Sequence, residues 1–297
     1  MQPGKASGTA YRVALRRAAH QLVDTPVVLH DPLALRILGL DADGKRSAAA
    51  GSRKNDAAND LRAPQRPWSI SLRAFLVARS AFAEQTLAHA VANGTQQYVL
   101  LGAGLDTFAY RNPHPHLRVL EVDHPDSQAQ KLLLLRASHI DVPASVAHIA
   151  VDFLHHSLAD KLAAGGFDRT QPAVFAWLGV VPYLTDDAFT STLHTLAACA
   201  PGSTLVMDYG LPRHALPHAE QLAFDSIAAR VRAAGEPFQL FFDTHTLHAR
   251  LRQAGFHVLH DLHRDAINAR YFAHRRDNLR ILGTAAHLLS AQLHADV

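Results

Sequence analysis

The feature that most constrains this chain is a regular alternation of short apolar runs with helical stretches, which starts after Trp68. Each run is short for a helix and ends at a glycine or a polar residue, which suits a strand buried on both faces of a sheet. The predicted strands are 98–101, 117–122, 146–151, 173–178 and 203–209, followed by two late strands at 256–259 and 279–283. Strands that alternate with helices indicate a doubly wound, mostly parallel α/β sheet.

The segments between these strands carry helical patterns. The predicted helices are 70–92, 126–138, a stretch ending at 164, 186–199, 216–234 and 244–254. Residues 9–40 predict two further helical segments, the first capped by Thr9 and the second opened by Asp31-Pro32. Residues 41–66 are rich in small and charged residues, which is typical of a loop or lid. We therefore expect an N-terminal helical cap over 1–67 and a main domain over 68–297.

The amino-acid composition excludes several classes of protein and of binding partner. Hydrophobic residues make up 48% of the 297 residues, which excludes a disordered chain. No apolar run reaches the roughly 20 residues that span a bilayer, and a formal charge of +3 is too small to favour nucleic acid. The single cysteine, Cys199, excludes an internal disulfide and a multi-thiolate zinc site. We expect a cytoplasmic protein with a small-molecule partner and no metal, and leave monomer or homodimer open.

Suggestive residues follow the first two strands, at the sheet edge where open α/β folds bind ligands. The first strand runs into Gly102-Ala-Gly104, and glycines let the backbone turn sharply and approach a ligand closely. The second strand ends at Glu121-Val-Asp123, about 20 residues later, where an acid can accept hydrogen bonds from ribose hydroxyls. These spacings indicate a site for a nucleoside cofactor.

The next two strands extend the same pattern. The third ends at Asp152-Phe153, where a carboxylate can accept from an adenine amino group and an aromatic ring can pack on the base. The fourth ends at Trp177-Leu-Gly179, above the space for a reacting group. Trp177 and Tyr183 are therefore predicted to wall an acceptor pocket. Tyr183 and His214 are the candidates for a catalytic role, although no residue stands out as an obligatory base.

The glycine loop departs from the dinucleotide fingerprint G-x-G-x-x-G/A, because Thr107 occupies the third glycine position. Asp106 also places a carboxylate where a pyrophosphate would lie. S-adenosyl-L-methionine (SAM) carries no phosphate but has a sulfonium, an ammonium and a carboxylate, which acids and an arginine can hold. SAM is thus favoured, and a nicotinamide-dependent oxidoreductase on a similar sheet is the alternative.

Several stretches of the chain resemble the leucine carboxyl methyltransferase-like family of SAM-dependent methyltransferases, and most closely its bacterial O-methyltransferase branch. The matching stretches are 79–84, 97–111 (QYVLLGAGLDTFAYR), 121–125 (EVDHP) with Lys131, 151–153, 177–184, Gly202-Ser203, Asp208-Tyr209 and Gly235-Glu-Pro237, with Thr9-Ala10 and 16–20 near the N-terminus. The resemblance covers nearly the whole chain. It implies a Rossmann-like, seven-stranded class I methyltransferase sheet, with S-adenosyl-L-homocysteine (SAH) as product.

The resemblance also implies roles for individual residues. Arg79 corresponds to the arginine that pairs with the SAM carboxylate. The other cofactor residues implied are Gly102 and Gly104 for the methionine part, Asp123 (with Glu121 as rival) for the ribose, and Asp152 and Phe153 for the adenine. The activity implied is methyl transfer to a carboxylate or hydroxyl oxygen of a small molecule, possibly a secondary metabolite.

One departure from the family concerns the acceptor side. Leu178 stands where many members have a glutamate before the glycine, which indicates a more apolar substrate side and keeps open a SAM-binding protein without turnover. Near the loop, Asp106 and Arg111 are expected to pair. Arg12 and Arg16 are expected to lie mostly on a solvated helix face, and Arg17 to lie there or to close over the cofactor.

Overall fold

A computed structural model describes residues 8–45, 61–62, 66–152, 157–233 and 235–294. Its centre is a seven-stranded sheet with the order β3-β2-β1-β4-β5-β7-β6. The strands are β1 Gln97–Leu101, β2 Arg118–Asp123, β3 Val146–Ala150, β4 Ala173–Trp177, β5 Thr204–Gly210, β6 Phe256–Leu262 and β7 Ala286–Leu293. The first five strands are parallel and β7 pairs antiparallel with both β5 and β6. The doubly wound, mostly parallel prediction is confirmed.

Helices cover both faces of the sheet. They are α1 Gly8–Val23, α2 Pro67–Ala92, α3 Pro125–Ala137, α4 Leu158–Ala164, α5 Asp186–Ala197, α6 His218–Ala233, α7 Thr244–Gln253 and α8 Arg264–Tyr271. In β1, Tyr98 and Leu100 pack with α2 and α8, whereas Val99 and Leu101 pack with α4, α5 and α7. This burial on both sides explains why the central strands read as unbroken apolar runs.

The end of the chain differs from the prediction. The strand expected at 279–283 is wrong: Leu279 and Ile281 are buried against α2 and α8 without pairing in the sheet. The last strand is β7, whose polar residues His287, Ser290 and Gln292 hide it from a search for apolar runs. Helix α8 was not predicted, and the second N-terminal helix is only a 3-10 turn at Arg36–Leu38.

The N-terminal helix α1 lies over loops at one edge of the sheet. Thr9, expected as its cap, falls inside the helix, which begins at Gly8. The small residues Ala14, Ala18 and Ala19 are buried in a cluster with Leu105 of the loop after β1. Residues 46–60 and 63–65 of the expected lid lie outside the described residues. Among the helices of the described residues, none is long and apolar enough to cross a membrane.

A buried ion pair fastens β2 to α3. Lys131 Nζ lies 2.8 Å from Glu121 Oε1, and both side chains are 2% exposed. The Tyr110 hydroxyl donates to the other Glu121 oxygen at 2.8 Å. Burial raises the pKa of Glu121 against the attraction of Lys131. The pair therefore stabilises the fold only while both partners are present.

Replacing Lys131 with Ala should lower the free energy of unfolding by about 3–5 kcal/mol, because Glu121 becomes an uncompensated buried charge. Urea titration followed by circular dichroism measures the loss. The double variant Lys131→Met with Glu121→Leu serves as the control and should recover most of it. A loss below about 1 kcal/mol in the single variant contradicts this account.

Candidate functional site

The loop after β1 makes two close approaches at positive φ that favour glycine. Gly102 has φ +73°, and a Cβ there would lie 2.4 Å from Val180 Cγ2 in the segment after β4. Gly104 has φ +48°, and a Cβ there would lie 3.3 Å from the Ala10 Cβ of α1. The loop leaves β1 at the point where strand order reverses between β1 and β4, which is where such sheets bind ligands.

Asp123, at the end of β2, holds this loop in place. Its Oδ2 accepts a hydrogen bond from Gly104 N at 2.6 Å, and its Oδ1 accepts from His124 N at 2.7 Å. Burial raises the pKa of Asp123, although both hydrogen bonds favour the charged form. The rival acid Glu121 is 1% exposed and its oxygens are taken by Lys131 and Tyr110. Of the two acids, Asp123 is the one that contacts the glycine loop.

Arg79 reaches the same edge of the sheet from α2. Its Nη1 donates to Asp208 Oδ2 at 3.1 Å, and Asp208 Oδ1 accepts from Gly179 N at 2.5 Å. A Cβ on Gly179, which has φ +70°, would lie 2.6 Å from Arg79 Nη1, so the glycine makes room for the guanidinium. The Arg79 Nε is buried and has no hydrogen-bond partner in the described structure. A buried unpaired donor costs about 1–3 kcal/mol, which a ligand acceptor at this position would recover.

A buried ionic network ties α1 to the loop. Arg17 is 4% exposed, and its guanidinium lies 2.6 Å from Asp106 and 2.7 Å from Asp31. Arg111 instead pairs with Glu84 and lies 3.3 Å from Asp31. The expected pairing of Asp106 with Arg111 is therefore wrong, and Arg17 does not lie on a solvated face. Because α1 covers the loop, Arg17 is the arginine that pairs with Asp106, whereas Arg111 pairs with Glu84.

A second group of polar residues, which we call the acceptor-side cluster, joins Thr9, Tyr183 and Glu236. Thr9 Oγ1 donates to Glu236 Oε2, and the Thr9 side chain lies near the Tyr183 phenol. Burial raises the pKa of Tyr183, and both Arg79 and Asp208 act on it electrostatically, so this phenol lies within the range of their charges. Thr9 was predicted only as a cap and Glu236 carried no predicted role. Its one sequence signal was the motif Gly235-Glu-Pro237.

The segment after α6 holds Glu236 in position through backbone contacts. Gln239 N donates to Pro182 O at 2.7 Å, and the Gln239 side chain donates to Tyr183 O at 2.8 Å. The rings of Phe238 and Tyr183 have centroids 5.3 Å apart. The turn after β4 and the segment after α6 therefore form one wall.

The other predicted site residues have different surroundings. Trp177 is 1% exposed and stacks on Phe189 at 5.2 Å in the core, so no face of its indole is free to wall an acceptor. This corrects its expected role. His214 is exposed in a short turn and makes none of the contacts of the acceptor-side cluster. Asp152 lies half-buried directly after β3, and Phe153 lies outside the described residues.

Comparison with known proteins shows which family the chain matches. The leucine carboxyl methyltransferase model matches residues 10–197. A Bacillus subtilis (strain 168) protein, provisionally named an S-adenosyl-L-methionine-dependent methyltransferase, is 29% identical over 97% of this chain and 98% of its own length. A protein of Frankia alni with the same provisional name is 33% identical over 71% of each chain.

Two solved structures share the fold. A Thermobifida fusca protein, provisionally called a methyltransferase, has a TM-score of 0.57 at 20% identity, covering 88% of this chain and 94% of its own. A DUF574 family protein from Streptomyces avermitilis has a TM-score of 0.54 at 18% identity, covering 89% of this chain and 97% of its own. At these identities the likeness concerns the fold.

The Asp106–Arg17 contact predicts a pH-dependent contribution to stability. Burial alone would raise the pKa of Asp106, but Arg17 and Arg111 outweigh it and hold this pKa well below its usual range. A depressed folded-state pKa gives stability that is present above the unfolded-state pKa of about 3.9 and is lost as pH falls. The free energy of unfolding should therefore differ between wild type and Asp106→Asn by a constant amount from about pH 5 to 7, and the difference should shrink below about pH 4.

Chemical denaturation at each pH measures that difference, in which all unchanged groups cancel. Asp225→Asn is a matched control, because Asp225 pairs with Arg213 on the exposed surface and its loss should cost little at any pH. A wild-type advantage over Asp106→Asn that grows on acidification contradicts the assignment.

Proposed function

The chain belongs to the leucine carboxyl methyltransferase family and is a SAM-dependent methyltransferase, and from this premise we propose that it methylates a carboxylate or hydroxyl oxygen of a small-molecule acceptor. Family membership removes the nicotinamide-dependent alternative. The observation that carries the oxygen assignment is the acceptor-side cluster of Thr9, Tyr183 and Glu236, which gathers hydroxyl and carboxylate groups beside Arg79.

The residues at the sheet edge suit SAM. The unpartnered Nε of Arg79 offers a donor to the SAM carboxylate, with Gly179 leaving space beside the guanidinium. Gly102 and Gly104 let backbone groups approach the methionine part, and Asp123 can accept from the ribose hydroxyls. When bound, SAM supplies an electrophilic methyl group. The protein would then contribute mainly by binding the acceptor and orienting its oxygen towards that methyl group.

In the acceptor-side cluster, Tyr183 can act as a hydrogen-bond donor and Glu236 as a base. Because burial raises the pKa of Tyr183, its phenol stays protonated at neutral pH and can donate to the acceptor. Glu236 is a carboxylate held by Thr9, and it can take the proton of a hydroxyl acceptor. A carboxylate acceptor is already ionised and needs no base, so the same site serves both acceptor types.

The assignment of the cofactor residues is tested by binding. Arg79→Met should weaken SAH binding about 10–100-fold, since it removes charge-assisted hydrogen bonds worth about 1.5–3 kcal/mol. Asp123→Ala should weaken binding by about 1–3 kcal/mol through the loss of its ribose contacts. Isothermal titration calorimetry measures both. Arg250→Met is the matched control, because this arginine pairs with Asp186 between α7 and α5 and should not affect the Kd.

Unchanged affinity in a folded Arg79→Met or Asp123→Ala variant means that the residue does not contact the cofactor. Circular dichroism and the Tm of each variant show whether it is folded. A fall in affinity for Arg250→Met of similar size would mean that the losses come from general destabilisation.

The oxygen assignment is tested with SAM carrying an isotope-labelled methyl group and acceptors that offer a carboxylate, a phenol, an amine or a thiol. We expect label on the first two classes only. Mild alkali then separates the products, because a methyl ester releases labelled methanol and a methyl ether does not. Label found on nitrogen or sulfur, with none on oxygen, would overturn the proposal.

Replacing Glu236 with Gln separates the two acceptor types. Gln keeps an oxygen for Thr9 but cannot take a proton, so kcat for a hydroxyl acceptor should fall about 10²–10⁴-fold. The kcat for a carboxylate acceptor should stay within about threefold, since that reaction needs no base. Steady-state kinetics over a pH series measure both. Equal kcat values for wild type and variant on a hydroxyl acceptor would exclude Glu236 as the base.

A further inference from the structure

Three arginines near the acceptor-side cluster have no acidic partner among the residues that the structure describes. Arg12 and Arg16 lie on α1, and Arg230 lies on α6 close enough to repel Arg16. Within the described ranges, none of the three has a carboxylate within ion-pair distance. Their only hydrogen bonds in those ranges go to backbone oxygens: Arg16 donates to Arg12 O and Arg230 to Ser226 O. We call these three residues the arginine cluster.

Burial makes the position of Arg16 in the arginine cluster costly. Arg16 is half-buried, and its Nε is fully covered and has no hydrogen-bond partner in the described structure. Burial lowers the pKa of Arg16 most, and Arg12, Arg230 and Arg73 lower it further. Arg73 is itself neutralised by Asp24 at 2.8 Å. Arg16 therefore carries a charge that is both desolvated and surrounded by like charges.

Other buried arginines of this chain meet carboxylates. Arg17 contacts Asp31 and Asp106, and Arg79 contacts Asp208. Arg16 directly precedes Arg17 in the sequence but points along a different face of α1. Among the described residues, that face of α1 therefore lacks a counter-charge, and an anion is the group that would supply it.

The position of the arginine cluster relates it to the acceptor. Thr9, Arg12 and Arg16 are spaced at i, i+3 and i+7, so they share one face of α1. Arg16 lies about 10 Å along the helix from Thr9 at a rise of about 1.5 Å per residue. Thr9 contacts Tyr183 and Glu236, where the acceptor oxygen is expected. The distance suits one small molecule that spans both groups.

We propose that Arg12, Arg16 and Arg230 bind an anionic group of the methyl acceptor, so that the acceptor is a small molecule carrying a carboxylate or phosphate besides the oxygen that is methylated. This rests on the proposed function and narrows its substrate class. A planar carboxylate or a phosphate can accept several hydrogen bonds from guanidinium groups at once. An anion here would also satisfy the buried Nε of Arg16.

The first test uses the full chain saturated with SAH and titrates inorganic phosphate as the probe. Arg16→Gln removes the charge but keeps a polar side chain, and it should weaken phosphate binding by about tenfold or more. Arg252→Gln is the matched control, because Arg252 is exposed in the last turn of α7. Phosphate affinity that is the same in wild type and Arg16→Gln overturns the proposal.

The second test compares acceptors in pairs, 4-hydroxybenzoate with 4-hydroxybenzamide, each assayed for methylation of the phenol oxygen. The acid should be preferred in kcat/KM, and Arg16→Gln should raise its KM by about tenfold with kcat nearly unchanged. The kcat/KM for the amide should be the same in wild type and Arg16→Gln. Equal kcat/KM values for the acid and the amide in the wild type overturn the proposal.

Two further outcomes separate this proposal from others. If Arg16→Gln weakens SAH binding as much as Arg79→Met does, the arginine cluster holds the cofactor and the acceptor assignment is overturned. Arg16-dependent binding to phosphatidylserine vesicles or to a short RNA, without any effect on acceptor KM, overturns it as well. If the phenol oxygen is methylated with the same kcat/KM in the acid and the amide, this inference is wrong but the oxygen assignment is still supported.

Discussion

The contact of Arg17 with Asp31 and Asp106 is the interaction on which the rest of the site depends. It joins α1 to the loop after β1 across 89 residues of sequence, at 2.6 Å and with the arginine 4% exposed. Removing one member would leave a buried charge without its partner, which is far more costly than losing a surface ion pair. Because this contact fixes the helix, it also fixes Ala10 over Gly104 and Thr9 beside Glu236.

The central sheet could be predicted because parallel strands covered on both faces need uninterrupted apolar residues. Strand β7 could not, because the polar residues His287, Ser290 and Gln292 interrupt its apolar residues, so that it contains no long apolar run. Arg17 shows a different limit. The neighbouring residues predict that Arg17 lies in a helix. Whether its side chain faces solvent or Asp106 depends on a long-range contact, which the periodicity of the sequence does not show. The predicted role of Trp177 was wrong for the same reason. Its position at the end of a strand predicts the correct edge of the sheet, but its indole stacks on Phe189 of α5.

At Leu178 the sequence departs from the glutamate that the family resemblance leads us to expect, yet carboxylates from other elements lie near the site. Leu178 packs against the apolar cluster under α2, while Asp208 holds Arg79 and Glu236 comes from the segment after α6. Under the proposed function, the cofactor side and the acceptor side therefore use carboxylates from separate elements. The sequence carried Glu236 only inside the motif Gly235-Glu-Pro237, since its contact with Thr9 spans 227 residues.

Arginines near the site divide by whether their charge is matched within the chain. Arg17 and Arg73 have carboxylate partners, so the folded state accommodates their burial before any ligand binds. Arg79 is matched in charge by Asp208 but retains a buried Nε without a partner, and Arg16 has neither a counter-charge nor a partner for its Nε among the described residues. A donor left unpaired in the folded chain costs free energy that a ligand recovers on binding. The Nε of Arg17 is also unpaired within the described part of the chain, but the charge of Arg17 is already matched by Asp31 and Asp106. The proposed ligand groups supply an acceptor to the other two arginines: the carboxylate of the cofactor at Arg79, and the anion of the methyl acceptor at Arg16.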